Sequence, residues 1–242
     1  MVQASGNSGP TVATRTEWGI DEKIARKVLE VVDAGLVSGV GDPVPGHMCV
    51  EAAVCYALGL DHGDDPECVS RALRALKIRL NDSCWSSNAA RTNGLRRLAL
   101  IQLGSRNHLD DGEFAKRVAE LAIRKQVPIA LRAAASLNKS PEHKKALLDA
   151  ANRCEAEGTR EAVRSARKAA AAAAADAADA AAAAAAAADA AYAAYAAAAA
   201  AAADAAADAR DKILSDFAED VVQILIDMKV PGVQWLPLTE AA

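Results

Sequence analysis

The run Gly46-His-Met-Cys-Val-Glu-Ala-Ala-Val-Cys55 is the most suggestive stretch for chemistry. It reads as a loop entering a helix, with Cys49 in the first turn. Free amides and the helix dipole lower a thiol's pKa there, which is where helix-borne cysteine nucleophiles sit. Such a thiol needs a base. His47 and His62 are the candidates, with His108 and His143 the only other histidines. A cysteine-dependent hydrolase or transferase using Cys49 with His47 or His62 is therefore one reading. The plainer one is a structural cysteine, since cysteine is among the most buried residue types, and neither histidine sits in a recognisable partner motif.

Two metal readings fail on residue types. Cys49-x-Glu51 followed by Pro66-x-Cys68 is reminiscent of zinc deaminases, but Glu67 stands where their P-C-x-x-C signature requires a sulfur. In Asp61-His62-Gly63-Asp64-Asp65, turn formation and helix capping account for every residue. No metal and no cofactor are expected.

Charge is unevenly spread. Arg71, Arg74, Lys77, Arg79, Arg91, Arg96 and Arg97 face a single acid, Asp82, in the stretch up to Arg106. Arg71, Arg74, Lys77, Arg91, Arg96 and Arg97 are candidate binding residues for nucleic acid or an acidic protein. Trp85 is the only aromatic nearby, so stacking on bases has little support. Solvent-facing helix positions explain the same pattern without a ligand.

Periodicity predicts the helices that carry these residues. Ile20, Ile24, Val28, Leu29 and Val32 share one face, and Gly35 ends that helix. Two glycines and two prolines make residues 39–46 a loop. A helix from about Met48 to Leu58 follows, closed by Gly59. Asp65 with Pro66 is expected to cap the next, running to Leu80 with Val69, Leu73, Leu76 and Leu80 inward. Further helices are expected over about 89–103, from Asp110 with a kink or split at Pro128, from Ser140-Pro141 to about Cys154, and from Gly158-Thr159. No stretch alternates with period two, so the expected fold is all-α, a helical bundle with a long alanine-rich C-terminal helix or helix pair.

From about Ala169 to Ala209 the chain is nearly pure alanine, relieved by aspartates and by Tyr192 and Tyr195. Alanine is the best helix former. Glu161, Arg164, Lys168 and the aspartates fall on one side, whereas Val163, Tyr192, Tyr195, Ile213 and Phe217 fall on another, predicting a solvated and a buried stripe. Tyr192 and Tyr195 are candidate contact residues. Composition shifts suggest a flexible arm at 1–18, a helical domain at 19–158, an alanine-rich segment at 159–230 and a tail at 231–242.

Apolar residues make up 52% of the 242, but aromatics only 3%, and the net charge is −4. That balance predicts no overall pull towards nucleic acid or anionic membrane. Aspartates recurring through the alanine run argue against a membrane span. Five cysteines without a C-x-x-C pair, and no secretory signal, fit reduced thiols in a cytoplasm.

The blocks Met48-Cys-Val-Glu-Ala-Ala-Val-Cys-Tyr-Ala-Leu-Gly-Leu60, Arg74-Ala-Leu-Lys-Ile-Arg-Leu-Asn-Asp82 and Pro231-Gly-Val-Gln-Trp-Leu236 resemble an uncharacterised family of bacterial and phage alanine-rich helical proteins. Ala190-Ala-Tyr-Ala-Ala-Tyr-Ala196 is similar in composition to immunity-like antitoxin proteins. Neither resemblance brings catalytic residues. The bare alanine helix, the uneven charge and the lack of a coherent catalytic set point to a non-enzymatic, cytoplasmic helical protein that binds another macromolecule, with phage–host or toxin–immunity conflict the expected setting. A protein partner is expected, nucleic acid is the alternative ligand, and the alanine-rich helix is the surface for any homo-oligomer.

Overall fold

The computed structural model describes residues 18–178 and 205–240. Among them the protein is all-α, with no strand and only two isolated bridges, Leu36–Met48 and Gly41–Met48. Its α-helices are α1 (Glu22–Asp33), α2 (Val50–Leu58), α3 (Arg71–Asn81), α4 (Asn88–Ile101), α5 (Asp111–Leu121), α6 (Val127–Leu137), α7 (Pro141–Glu157), α8 (Arg160–Ala178) and α9 (Ala205–Asp227). A 3-10 segment, Pro231–Thr239, follows α9. Among the described residues no helix is long and apolar enough to cross a membrane. Tyr192 and Tyr195 lie outside the described residues.

The chain forms two compact units that interleave in sequence. Among the described residues, one comprises 18–83, 95–109 and 228–240, and the other 84–94, 110–178 and 205–227. In the first unit, α1 buries Ala25, Val28, Leu29, Val31 and Val32 and packs on α2. The α2 helix is apolar nearly all round, the signature of a central helix, and only Tyr56 and Leu58 of its nine residues escape burial.

Caps set the helix starts. Asp21 accepts from the Ile24 amide, and Ser70 from that of Leu73. The third helix therefore begins at Ser70, not at Asp65-Pro66. Residues 66–69 form a separate turn closed by Val69 N to Pro66 O. The serine competes successfully because its oxygen reaches a free first-turn amide. Asp110 accepts from both Gly112 and Glu113 at 2.9 Å. Asp110→Ala is expected to lower stability by about 1 kcal/mol, seen as a lower urea midpoint with unchanged slope.

In the second unit the expected break at Pro128 takes a specific form. Residues Ala122–Gln126 widen into a π-helical turn, with Val127 N bonding Ala122 O five residues back. Proline lacks an N–H and its ring crowds the carbonyl four residues earlier, and the widened turn relieves that crowding. Helices α6, α7 and α8 then share a core of Leu131, Ala135, Leu147, Ala150, Ala151, Cys154, Ala162, Ala166 and Ala173. Small side chains let these axes approach closely.

The inward stripe of α8 and α9 is thus rotated from the one expected. Ala162, Ala166, Leu214 and Ala218 are buried, whereas Val163, Ile213 and Phe217 are half-buried at its margin. On α8 the buried positions are the small Ala162 and Ala166, with the larger Val163 at the margin.

Candidate functional site

The chemistry-bearing residues of the first unit converge where α2 meets α3. Glu51 lies in the first turn of α2, and because that helix is surrounded by core it has no solvent face to turn to. On α3 the buried positions are Leu73, Lys77, Leu80 and Asn81, spaced by three and four residues as one face of a helix. Lys77 occupies that face in place of the expected Leu76, which is half-buried. The two charged groups meet: Lys77 Nζ stands 2.9 Å from Glu51 Oε1, and both side chains are 0% exposed.

Apart from each other, neither charged head has a hydrogen-bond partner among the described residues. Burial pushes the Glu51 carboxyl upward against the pull of Lys77, and pushes the Lys77 ammonium downward against the pull of Glu51. Both shifts express the same physics, since the interior disfavours either charge.

A strap of residues 36–48 lies beside Glu51, which lines the same small cavity as Gly39 and Val40. Its ends are tied by Val37 N to Met48 O at 3.0 Å and Cys49 N to Val40 O at 3.2 Å. The end of α3 pins its first residues. Asn81 Nδ2 donates to Val37 O at 2.9 Å, and Asp82 Oδ1 accepts from Gly39 N at 2.7 Å and from Ser38 Oγ at 3.3 Å. Gly41 has φ +71°, and a Cβ there would stand 1.9 Å from His47 O, so only glycine fits this crossing. Beneath the strap lies a cavity of about 60 Å³ lined by Val40, Cys49, Glu51, Asp64, Asn81 and Asp82 among others. It has room for a few water-sized molecules, far below the ~300 Å³ of a typical small-molecule pocket.

Cys49 is the N-cap of α2. Its sulfur accepts from Ala52 N at 3.3 Å and is nearly fully buried. Burial raises its pKa, only partly countered by the Ala52 and Glu51 amides and by Lys77. Cys55 is pushed up to about 12, mainly by burial, and Cys68 is raised for the same reason. No imidazole bonds Cys49: His47 is exposed, and His62 places Nε2 2.9 Å from Gly41 O on the strap's outer side. The thiol and the two histidines do not assemble into a nucleophile–base pair.

The basic candidates are dispersed by their neighbours. Lys77 is enclosed with Glu51 and contributes nothing to a basic surface, a correction to its reading as a binding residue. Arg74 Nη2 binds Asp64 Oδ1 at 2.7 Å. Arg96 bridges both oxygens of Asp33 and the Thr239 carbonyl. Arg91 is buried and donates to Asn88, Arg97 is half-buried and Arg71 is exposed. Trp85 is buried and presents no face for stacking. Among the described residues, no three histidine, cysteine, aspartate or glutamate side chains gather to hold a metal ion.

One feature escaped the residue types: exposed apolar side chains on the loops around the site. Val40 and Val44 on the strap, and Tyr56 and Leu60 at the end of α2, are exposed large apolar side chains. The His62–Gly41 contact brings residues 60–62 against the strap. Exposed acids Asp42, Asp61, Asp65 and Glu67 belong to the same loops.

Comparison with protein-family models, with curated proteins and with solved structures found no match to this chain.

Proposed function

We propose that the protein is a non-enzymatic binding protein whose partner is another protein, docked on the strap's outer face. The observation that carries this reading is the exposure of Val40, Val44 and Leu60 on the loops that also expose Asp42, Asp61 and Glu67. Exposed apolar side chains rimmed by charge mark interaction surfaces, and the acids select the occupant. It is a segment bearing aliphatic side chains flanked by lysine or arginine, because complementary charge steers encounter and rejects acidic competitors. Val40 and Val44 stand on a segment bonded to the start of α2 and the end of α3, which limits the ordering needed on binding. Phage–host or toxin–immunity conflict is the setting in which such a partner is sought.

The test is capture from a lysate of the source cell with the intact protein and with Val44→Arg/Leu60→Arg. Like charge at the docking face is expected to abolish retention of the captured protein, and raised salt to weaken retention by the unaltered chain. Identical capture by both forms, or capture only of nucleic acid that salt removes steeply, overturns the reading.

A further inference from the structure

We infer that α6 carries a self-complementary docking surface, on which a second copy of this chain seats its Leu137 in the groove at Ile129 and receives the same contact in return. The surface lies wholly within the second unit and does not depend on the reading of the strap. On α6, Leu131 and Ala135 enter the core shared with α7 and α8. Ile129, Ala133 and Leu137 recur every four residues, so they form one stripe on the opposite side of that helix. Both ends of the stripe are exposed. Ile129 is 45% accessible, and Leu137, at 76%, is the most exposed large apolar side chain among the described residues.

The two ends differ in surroundings. Ile129 shares a groove of about 320 Å³ with Ile213 of α9, and Asp216, Glu219 and Asp220 stand on the same groove. These three carboxylates outnumber the two lysines that bond them, Lys125 on Asp220 and Lys212 on Asp216. Leu137 instead is followed two residues on by the exposed Lys139. An aliphatic knob beside a cation and an aliphatic groove with an acidic wall are complements. They stand eight residues apart on one helix, about 12 Å, with Ala133 midway. Two antiparallel α6 helices crossing at Ala133 therefore make both contacts at once, as a two-fold interface requires. The small Ala133 side chain lets the two axes approach. Two such patches make an interface at the weak end of the range, so dimerisation is concentration-dependent.

Sedimentation velocity on the full chain, over a concentration series reaching about 1 mM, tests this. The parent is expected to shift from monomer towards dimer as concentration rises, and less so at raised salt. Leu137→Glu and Ile129→Glu each spoil both equivalent contacts. Each contact is worth at least about tenfold through burial of one aliphatic side chain, so each variant is expected to weaken the dimer about a hundredfold. Helical circular dichroism is expected to stay unchanged, because both positions are exposed. The Val44→Arg/Leu60→Arg form is expected to dimerise like the parent, which separates this result from any outcome at the strap. A parent that stays monomeric throughout overturns the inference. So does a dimer that either α6 variant leaves intact.

Discussion

Lys77→Met is expected to remove about 3–5 kcal/mol of stability at neutral pH, because it leaves a carboxyl buried without its cation. The double variant Glu51→Met/Lys77→Met is expected to lie within about 1 kcal/mol of the parent or above it, since apolar side chains of similar length replace the pair. Urea midpoints of the parent, the two single variants and the double distinguish this from simple loss of packing, in which the double variant would be the least stable.

Lys77→Met also makes stability pH-dependent in a defined direction. The folded Glu51 carboxyl already sits above its ordinary value of 4.5 through burial, with Lys77 the principal opposing influence. Removing that cation raises it further. A folded value above the unfolded one means that the native state keeps a proton which the unfolded chain releases. Stability is then fully present below about pH 4.5 and falls by about 1.4 kcal/mol per pH unit until the folded carboxyl ionises. A variant whose urea midpoint does not fall between acid and neutral pH would show that Glu51 reaches water.

Gly232→Ala is the second large effect. A Cβ at Gly232 would lie 2.1 Å from the Ile101 carbonyl oxygen and 2.5 Å from its carbon. Both are backbone atoms at the end of α4, so no rotamer change relieves the clash. The Pro231–Thr239 segment must lift away from α4, taking Trp235 and Leu236 out of the core. The cost is about 3 kcal/mol, at the upper end for overpacking. Hydrogen exchange should rise across 228–240. Gly63→Ala is the control: nothing lies within 4 Å of its Cβ, and its effect is expected within about 0.5 kcal/mol. Equal midpoints for the two variants would refute the close approach.

Local rules carried far along this chain. Asp110 and Ser140 start helices where capping chemistry places them, and Gly59 and Gly158 end them in the left-handed conformation. The start of α3 differs from the expectation because Asp65-Pro66 and Ser70 are both competent caps, and the choice between them depends on what lies around residues 66–70. Arg106 N bonds Cys68 O, and Ser105 Oγ accepts from Ser70 N, each at 2.9 Å. Those two long-range bonds hold residues 68–70 in a turn, and no periodicity encodes them.

The candidate site divides in the same way. Glu51, alone among apolar neighbours on a short helix, is a visible anomaly in the amino-acid order. Lys77 is not, because a lysine four residues after Leu73 is equally at home in solvent. What determines its fate is the partner brought to it by α2. The order of residues determined the all-α class, most helix limits and the position of Cys49 at a helix start, since these depend on backbone propensity and on hydrogen bonds within a few residues. Only the tertiary structure decided that Cys49 lies beneath a strap, that His62 faces the strap's outer side, and that Lys77 is enclosed with Glu51. Burial and charge pairing are properties of space shared by distant segments.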